Sequence, residues 1–275
     1  MTRYKISVDL GGSNIRAALF DGRKMLRFVK KPTLADEGKE SVLRQLVSAI
    51  EEIKSNNKIE GIGIGSPGPL KNGVIKNPPN LPLRNFNLQK FLEKKFITRV
   101  VVERDANCAV LAELKFGVKK KNFILLTFGT GIGGGIAVNG ELYKGVNGYG
   151  GEMGHMIIDD EKDFEYWASG KALKRYSQEK LNKQFYLKDI IEMEGKAMEI
   201  VKKEVKYIGI GIASLVNVFD PEVVVLAGGF REAGEKFLKL IRKEVYQRAI
   251  LPKKTRIIWS KLKEPGLLGA SLLVK

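Results

Sequence analysis

The sequence predicts an α/β protein made of two related lobes. Three observations predict it. A strand–turn–strand–turn–strand pattern occurs twice at long spacing, strands alternate with helices after each copy, and a length of 275 residues favours two compact units over one.

The first copy runs from Tyr4 to Lys30. Ile6, Val8 and Leu10 alternate with polar residues at the period of a strand. Gly11-Gly12-Ser13-Asn14 turns the chain, Ile15 to Phe20 returns it, and Asp21-Gly22 signals a two-residue hairpin into a third strand. The second copy follows the same plan. Phe123 to Phe128 is a strand, the five glycines between Gly129 and Gly135 form the turn, Ile136 to Val138 returns, and Asn139-Gly140 makes the next hairpin. The copies superpose without a gap: Asp9 falls on Thr127, Gly11 on Gly129, Ala18 on Ile136, and Asp21-Gly22 on Asn139-Gly140. After the first copy come a helix from Glu40 to Lys54, a strand from Gly61 to Gly65, and a Pro- and Gly-rich loop from Ser66 to Pro82. A strand at Arg99 to Val102 and a helix from Ala106 to Phe116, ended by Gly117, follow. After the second copy, Lys171 to Leu181 and Gly195 to Val218 read as helices, and Val223 to Ala227 as a buried strand. A helix from Glu232 to Tyr246, a strand from Arg256 to Trp259 and a helix from Gly266 complete the pattern.

Composition narrows the class. Apolar residues are 44% and charged residues 29%, as in an ordinary soluble domain, and no apolar run approaches the ~18 residues of a membrane span, so no membrane partner is expected. The strand pattern begins at once, so no signal peptide is expected and a cytoplasmic setting follows. Cys108 is the only cysteine, which excludes an intramolecular disulfide and a cysteine-rich metal site. The net charge of +17 suits either a nucleic-acid binder or a lysine-rich solvated surface. The lysines are dispersed and no basic run alternates with stacking aromatics, so no nucleic-acid partner is expected.

The glycine turns carry the first chemical reading. Gly129, Gly131 and Gly134 satisfy G-x-G-x-x-G, but that fingerprint must open a helix, and here a strand follows. No Gly-Lys-Ser/Thr ending marks a P-loop either. What remains is a phosphate cradle of backbone amides in a hairpin turn, with a second at Gly11 to Asn14. Two such turns facing across a cleft would hold the phosphates of one nucleotide. Asp9, at the end of the first strand, could hold phosphate-bound Mg²⁺ through water, or simply stabilise the turn. Asp105 stands between a strand and a helix, where it is either an N-cap or a general base. The helix N-terminus and Arg104 would both favour the ionised form a base needs. Gly151-Glu152-Met153-Gly154-His155-Met156 holds the sole histidine, a structural residue or, with Glu152, a hydrogen-bonding pair for a polyhydroxylated ligand.

Val8 to Arg16 resembles the first phosphate motif of the actin/hexokinase-like ATPase superfamily. Glu103 to Glu113, Leu126 to Gly135, Gly151 to Met156 and Ala168-Ser169-Gly170 are similar to the ROK family of repressors, open reading frames and sugar kinases, and the resemblance extends from Lys5 to Ala270. It implies two ribonuclease H-like lobes with an interlobe cleft, one formed by residues 1–117 with about 262–275 and the other by 118–261. It implies transfer of the ATP γ-phosphoryl group, with Mg²⁺, to a hexose or amino-hexose, with glucose or a related aldohexose at its 6-hydroxyl as the expected acceptor, and a homodimer fits the family. Asp105 matches the family's catalytic base. Glu152, His155 and Glu165 match its sugar-binding residues, and Gly65 and Asn80 lie where it shapes the sugar pocket. Asp9 with Gly11, Gly12, Ser13 and Asn14, then Gly129, Thr130, Gly131 and Gly133, match its phosphate turns, and Gly228 with Gly229 its adenosine contact.

Two departures qualify the resemblance. Family members usually carry a cysteine-rich zinc loop with that histidine as fourth ligand, whereas Asp159 to Glu165 contains no cysteine. One histidine cannot complete a tetrahedral N/S site, so no structural zinc is expected and His155 should serve the sugar alone. Arg104 stands where the family commonly has Asn beside its catalytic Asp. It could salt-bridge elsewhere, contact an altered sugar, or depress Asp105 as a base. Two rival readings follow. A sugar-responsive repressor would place a helix-turn-helix module ahead of the first phosphate motif, which the early start of that motif argues against. A sugar-binding pseudo-kinase is motivated by Arg104 and opposed by Asp9, Asp105 and both glycine turns.

Overall fold

The computed structural model describes residues 4–78, 80–250 and 254–274. Pro79 of the expected Ser66 to Pro82 loop, and the extreme ends of the chain, lie outside the described residues. The chain divides into two compact units: Met1–Lys119 with Lys144–Gly150 and Leu262–Lys275, and Lys120–Tyr143 with Gly151–Lys261.

The first unit opens with the meander β1 (Tyr4–Leu10), β2 (Asn14–Asp21) and β3 (Lys24–Pro32). Helix α1 (Lys39–Lys54) buries Val42, Leu46, Ala49, Ile50 and Ile53, a stripe at helical spacing. Strand β4 (Ile59–Ser66) follows, then a small sheet of β5 (Leu70–Lys71), β6 (Val74–Ile75) and β7 (Phe86–Asn87). Helix α2 (Leu88–Phe96), strand β8 (Val100–Arg104) and helix α3 (Asp105–Phe116) come next. The main sheet has the order β3-β2-β1-β4-β8, with β4 parallel to both β1 and β8.

The second unit repeats this plan. Strands β9 (Phe123–Phe128), β10 (Ile132–Val138) and β11 (Glu141–Tyr143) form its meander. A two-stranded hairpin, β12 (Ile157–Asp159) and β13 (Lys162–Asp163), leads into α4 (Phe164–Ala168), α5 (Gly170–Leu181), α6 (Leu187–Ile190) and α7 (Lys196–Phe219). Strand β14 (Val223–Gly228), helix α8 (Gly234–Tyr246) and strand β15 (Arg256–Trp259) complete a sheet of order β11-β10-β9-β14-β15. Helix α9 (Pro265–Ala270) then returns to the first unit.

Strand alternation decides how α9 is held. Ile6, Val8 and Leu10 share one core with Val42, Leu46 and Ile50 of α1. Ser7 points to the other face, where its hydroxyl donates to Leu267 O of α9 at 2.5 Å.

The two copies are the same in topology but not in length. Asp9 pairs with Arg16, whereas Thr127 pairs with Gly133, so the second turn is one residue tighter than a gapless superposition requires. The first hairpin also closes on Asp21 and Lys24, with Gly22-Arg23 in the turn rather than Asp21-Gly22. Asn139-Gly140 does form the second turn, both residues having positive φ as a tight hairpin demands. The glycine run differs too. Gly133, Gly134 and Gly135 are strand residues paired with Thr127, Leu126 and Leu125. A Cβ on Gly134 would lie 2.4 Å from Met153 Cε and 2.8 Å from Gly151 O, so close approach, not turning, requires glycine there.

Among the described residues no helix is long and apolar enough to cross a membrane. The core of the second unit does contain one anomaly. Glu204 of α7 is fully buried, and neither carboxylate oxygen has a hydrogen-bond partner among the described residues. Burial holds its carboxyl well above the ordinary value, against the attraction of Arg175 and Lys203. The folded chain therefore keeps this proton to higher pH than the unfolded chain does, and the stability it confers falls as pH rises past the ordinary carboxylate range. Glu204→Gln is expected to raise the melting temperature at neutral pH by a few degrees, the gain shrinking as pH falls to about 4. A lower melting temperature for the variant at neutral pH would contradict this account.

Candidate active site

In an open α/β sheet, functional groups collect at the carboxyl ends of the parallel strands. The first unit obeys this. Registers place Asp9 of β1 beside Gly65 of β4, Gly65 beside Glu103 of β8, and Ser66 beside Arg104. Asp105 follows directly. A Cβ on Gly65 would come within 3.3 Å of Asp105 Cα and 3.4 Å of Cys108 Sγ, so the bare glycine lets the start of α3 sit against β4. Asp105 is the first residue of α3, with Arg104 in the capping position. Its Oδ1 accepts from the next amide, Ala106 N, at 2.7 Å.

The flanking residues Glu103 and Arg104 are both buried. Glu103 accepts from Arg104 N and Asn107 Nδ2, each at 2.9 Å, and from Lys144 Nζ. Burial alone would raise its pKa. The bonds from Lys144, Asn107 and the Arg104 amide outweigh that and hold the carboxyl below the ordinary range. Arg104 donates through Nη1 to Gly150 O at 2.5 Å. Both partners of β8, Lys144 and Gly150, belong to the segment Lys144–Gly150, which the sequence reading assigned to the other lobe.

Asp9 is 8% exposed. Arg16 donates to its Oδ2 at 2.5 Å and, through its other terminal nitrogen, to Glu264 Oε2 at 2.9 Å. Burial raises the Asp9 pKa and Arg16 opposes it. The turn that follows is tight, with Gly11 N donating to Asn14 O at 3.0 Å, Thr33 Oγ1 to Gly11 O at 2.6 Å, and Thr33 N to Ser13 O at 3.0 Å. A Cβ on Gly12 would lie 2.8 Å from Asn80 Cβ, so the first glycine turn and Asn80 are in direct contact. Among the described residues no group of three or more His, Cys, Asp or Glu side chains could hold a metal by itself. A lone carboxylate is nonetheless the donor set that suits Mg²⁺ arriving with a nucleotide, since magnesium keeps waters and phosphate oxygens as its other ligands.

The second unit builds its turn on helix α5. Gly129 N donates to Gly131 O at 2.9 Å, while Gly129 O and Thr130 O accept from Gly170 N at 2.9 Å and Lys171 N at 3.1 Å. Ser169 caps α5 by accepting from Ala172 N, which accounts for the Ala-Ser-Gly sequence. Glu165 lies on the turn from below: its Oε2 accepts from Ile132 N at 2.8 Å, and a Cβ on Gly131 would fall 2.1 Å from that oxygen. Its Oε1 is 3.8 Å from Lys171 Nζ. Gly129, Thr130 and Gly229 share one cavity of about 340 Å³, whereas Gly133 and Gly228 sit in strands paired with Thr127 and Phe128.

Sequence reasoning found the glycines of this cavity but not its walls. Phe128 and Phe230 stack at 5.5 Å between centroids, and Leu173, Phe185 and Leu187 complete an apolar lining. Lys171 and Lys174, one helical turn apart, bring positive charge to it. Phe230, directly after Gly228-Gly229, carried the one usable signal. The others come from α5 and from the approach to α6.

Glu152 and His155 bracket the single helical turn Met153–His155, where Glu152 O accepts from His155 N at 3.1 Å. His155 is not free for a ligand alone. Its Nδ1 lies 3.0 Å from Asp163 Oδ2, in the β12–β13 hairpin that occupies the stretch Asp159 to Glu165.

A model of the ROK family matches residues 5–275. A glucokinase of Thermotoga maritima is 31% identical over 309 residues, covering 98% of this chain and 96% of that protein. A xylose repressor of Bacillus spizizenii is 32% identical over 266 residues, covering 89% of this chain and 69% of the repressor. A crystal structure of a Streptomyces griseus ROK family glucokinase in complex with glucose and AMPPNP superposes with a TM-score of 0.89 at 26% identity, covering 98% of this chain and 99% of that one.

Proposed function

The chain belongs to the ROK family, and from that membership and the geometry above we propose that it is an ATP-dependent sugar kinase. The observation that carries this reading is the gathering of two carboxylate residues about Gly65, with Asp9 in register beside it and Asp105 packed against it from the start of α3. Phosphoryl transfer to a sugar needs one carboxylate on the phosphate side and another at the acceptor hydroxyl, and Asp9 and Asp105 are the candidates for these roles. The nucleotide and glucose held by the S. griseus relative supply the substrate class. The acceptor is the 6-hydroxyl of glucose or a related aldohexose, and the setting is the cytoplasm.

The reaction forms one bond and breaks one. The hydroxyl oxygen attacks the γ-phosphorus, the bond to the β–γ bridging oxygen breaks, and ADP leaves. Asp105 accepts the hydroxyl proton and later passes it to water. With the Gly11 and Gly129 amides spent inside their own turns, the neighbouring amides of Gly12 and Ser13 and of Thr130 and Gly131 are assigned to the phosphates. Asp9 would hold Mg²⁺ through water, and that ion would supply charge neutralisation on the transferred group. Gly129, Thr130, Phe230 and the lysines of α5 receive the nucleoside and its phosphates. For the sugar, Gly65, Asn80 and Arg104 of the first unit and Glu152, His155 and Glu165 of the second are the assigned residues, Glu165 also bracing the glycine turn of its own unit.

A coupled ADP-release assay over glucose, mannose, fructose, N-acetylglucosamine, N-acetylmannosamine and allose tests the proposal. Sugar-dependent ADP release with at least one aldohexose is expected. Sugar binding without any release would make the chain a binding protein, and sugar-dependent retention on DNA would make it a regulator.

A further inference from the structure

The histidine of this chain is held by a carboxylate that has no place in the readings above. We infer that Asp163 is a positioning residue that fixes the tautomer of His155, so that Nε2 meets the sugar as a hydrogen-bond acceptor. The inference rests on the sugar-kinase reading for its ligand, but its geometric half stands alone.

An ionised carboxylate only accepts, so Asp163 Oδ2, 3.0 Å from His155 Nδ1, requires the proton on Nδ1. In the neutral imidazole the other nitrogen is then bare. The His155 side chain is 62% exposed, whereas Asp163 is held tightly. Its second oxygen, Oδ1, accepts from Tyr166 N at 2.8 Å and caps α4, and Lys162 and Asp163 are paired with Asp159 and Ile157 across the hairpin. The carboxylate therefore cannot swing away without uncapping a helix. The same short helix carries Glu165, whose Oε2 holds Ile132 N of the glycine turn. One rigid element thus sets both the histidine and the turn. The charged groups facing His155 are Asp163, Glu152 and Glu165. The Asp163 bond, followed by the charges of Asp163, Glu152 and Glu165, raises the imidazole pKa against the opposing effect of burial.

Asp163→Asn keeps an oxygen for the helix cap but turns an N–H₂ toward the ring. Nδ1 must then accept, and the proton moves to Nε2, leaving a donor where an acceptor stood. Because His155 is the only histidine, ring ¹⁵N shifts of the ligand-free protein report the tautomer with no assignment problem. At a pH where the ring is neutral, the wild type is expected to show Nδ1–H and Asp163→Asn to show Nε2–H. Asp163→Ser, which can still cap α4 but cannot reach the ring, is expected to give a mixture at unchanged melting temperature. In kinetics, Asp163→Asn is expected to raise the sugar KM about tenfold, the scale of one mispaired hydrogen bond, with kcat within about twofold. The same tautomer in wild type and Asp163→Asn would overturn the inference, and so would an inverted tautomer with an unchanged KM. A wild-type chain that turns over no sugar would sink the kinase reading, while the ligand-free spectra would still decide whether Asp163 orients the ring.

Discussion

Asp105→Ala is expected to lower kcat by about 10³-fold while sugar affinity changes little. A positioned general base contributes roughly two to four orders of magnitude, and each factor of ten is about 1.4 kcal/mol of transition-state stabilisation. The structure supplies the control. Asp105 Oδ1 also accepts from Ala106 N at 2.7 Å, so the alanine variant removes a local bond at the start of α3 worth about 1 kcal/mol. Asp105→Asn can keep that bond and still cannot take a proton. Equal losses of kcat in both variants, with a smaller stability loss in the asparagine variant, would assign the effect to chemistry. Calorimetric sugar binding retained in both completes the test. Near-normal turnover of either variant would remove Asp105 from the role.

Gly269→Ala is expected to be the most damaging small substitution to stability. A Cβ at this position would lie 1.6 Å from Cys108 O and 2.3 Å from Cys108 C, which are backbone atoms that no rotamer change can move. Helix α9 must then lift from α3, disturbing the contact of Ser7 with Leu267 as well. Overpacking of this kind costs roughly 3 kcal/mol or somewhat more, a fall of about 6–12 °C in melting temperature. Gly129→Ala is the matched comparison, because nothing lies within 4 Å of its added Cβ. It should leave the melting temperature nearly unchanged. Equal melting temperatures for wild type and Gly269→Ala would refute the packing argument.

How much of this was legible depends on where each constraint originates. The doubled meander is local, since alternation and turn residues lie within a few positions of one another, and it was read correctly as two lobes of one plan. Asp105 was legible because a strand and a helix visibly meet at it. Helix α2 has a local signature too, with Asn87 accepting from Lys90 N as its cap and Leu88 and Leu92 buried four apart, but its nine residues bury only those two, too short a stripe to stand out beside the Pro-rich loop before it. By contrast, Gly133 to Gly135 read as a turn because glycine usually means one. At Gly134 the real constraint comes from Met153 and Gly151, in a later segment of the chain. The partner of Arg104 was equally hidden. Nothing near Arg104 in sequence points to Gly150, and the assignment of Lys144–Gly150 to the first unit has no local signature. His155 shows the remaining limit: the missing cysteines were plain, but that Asp163 would take up its Nδ1 needed the hairpin register.

The return of α9 bears on synthesis. The first unit's sheet cannot complete its packing until α9, made after the whole second unit, has been translated, because Ser7 and Gly63 are both covered by α9 residues. Vectorial folding is thus inverted here: of the two units, the one begun before the other is finished after it, and a truncated messenger would leave it with an uncovered sheet face.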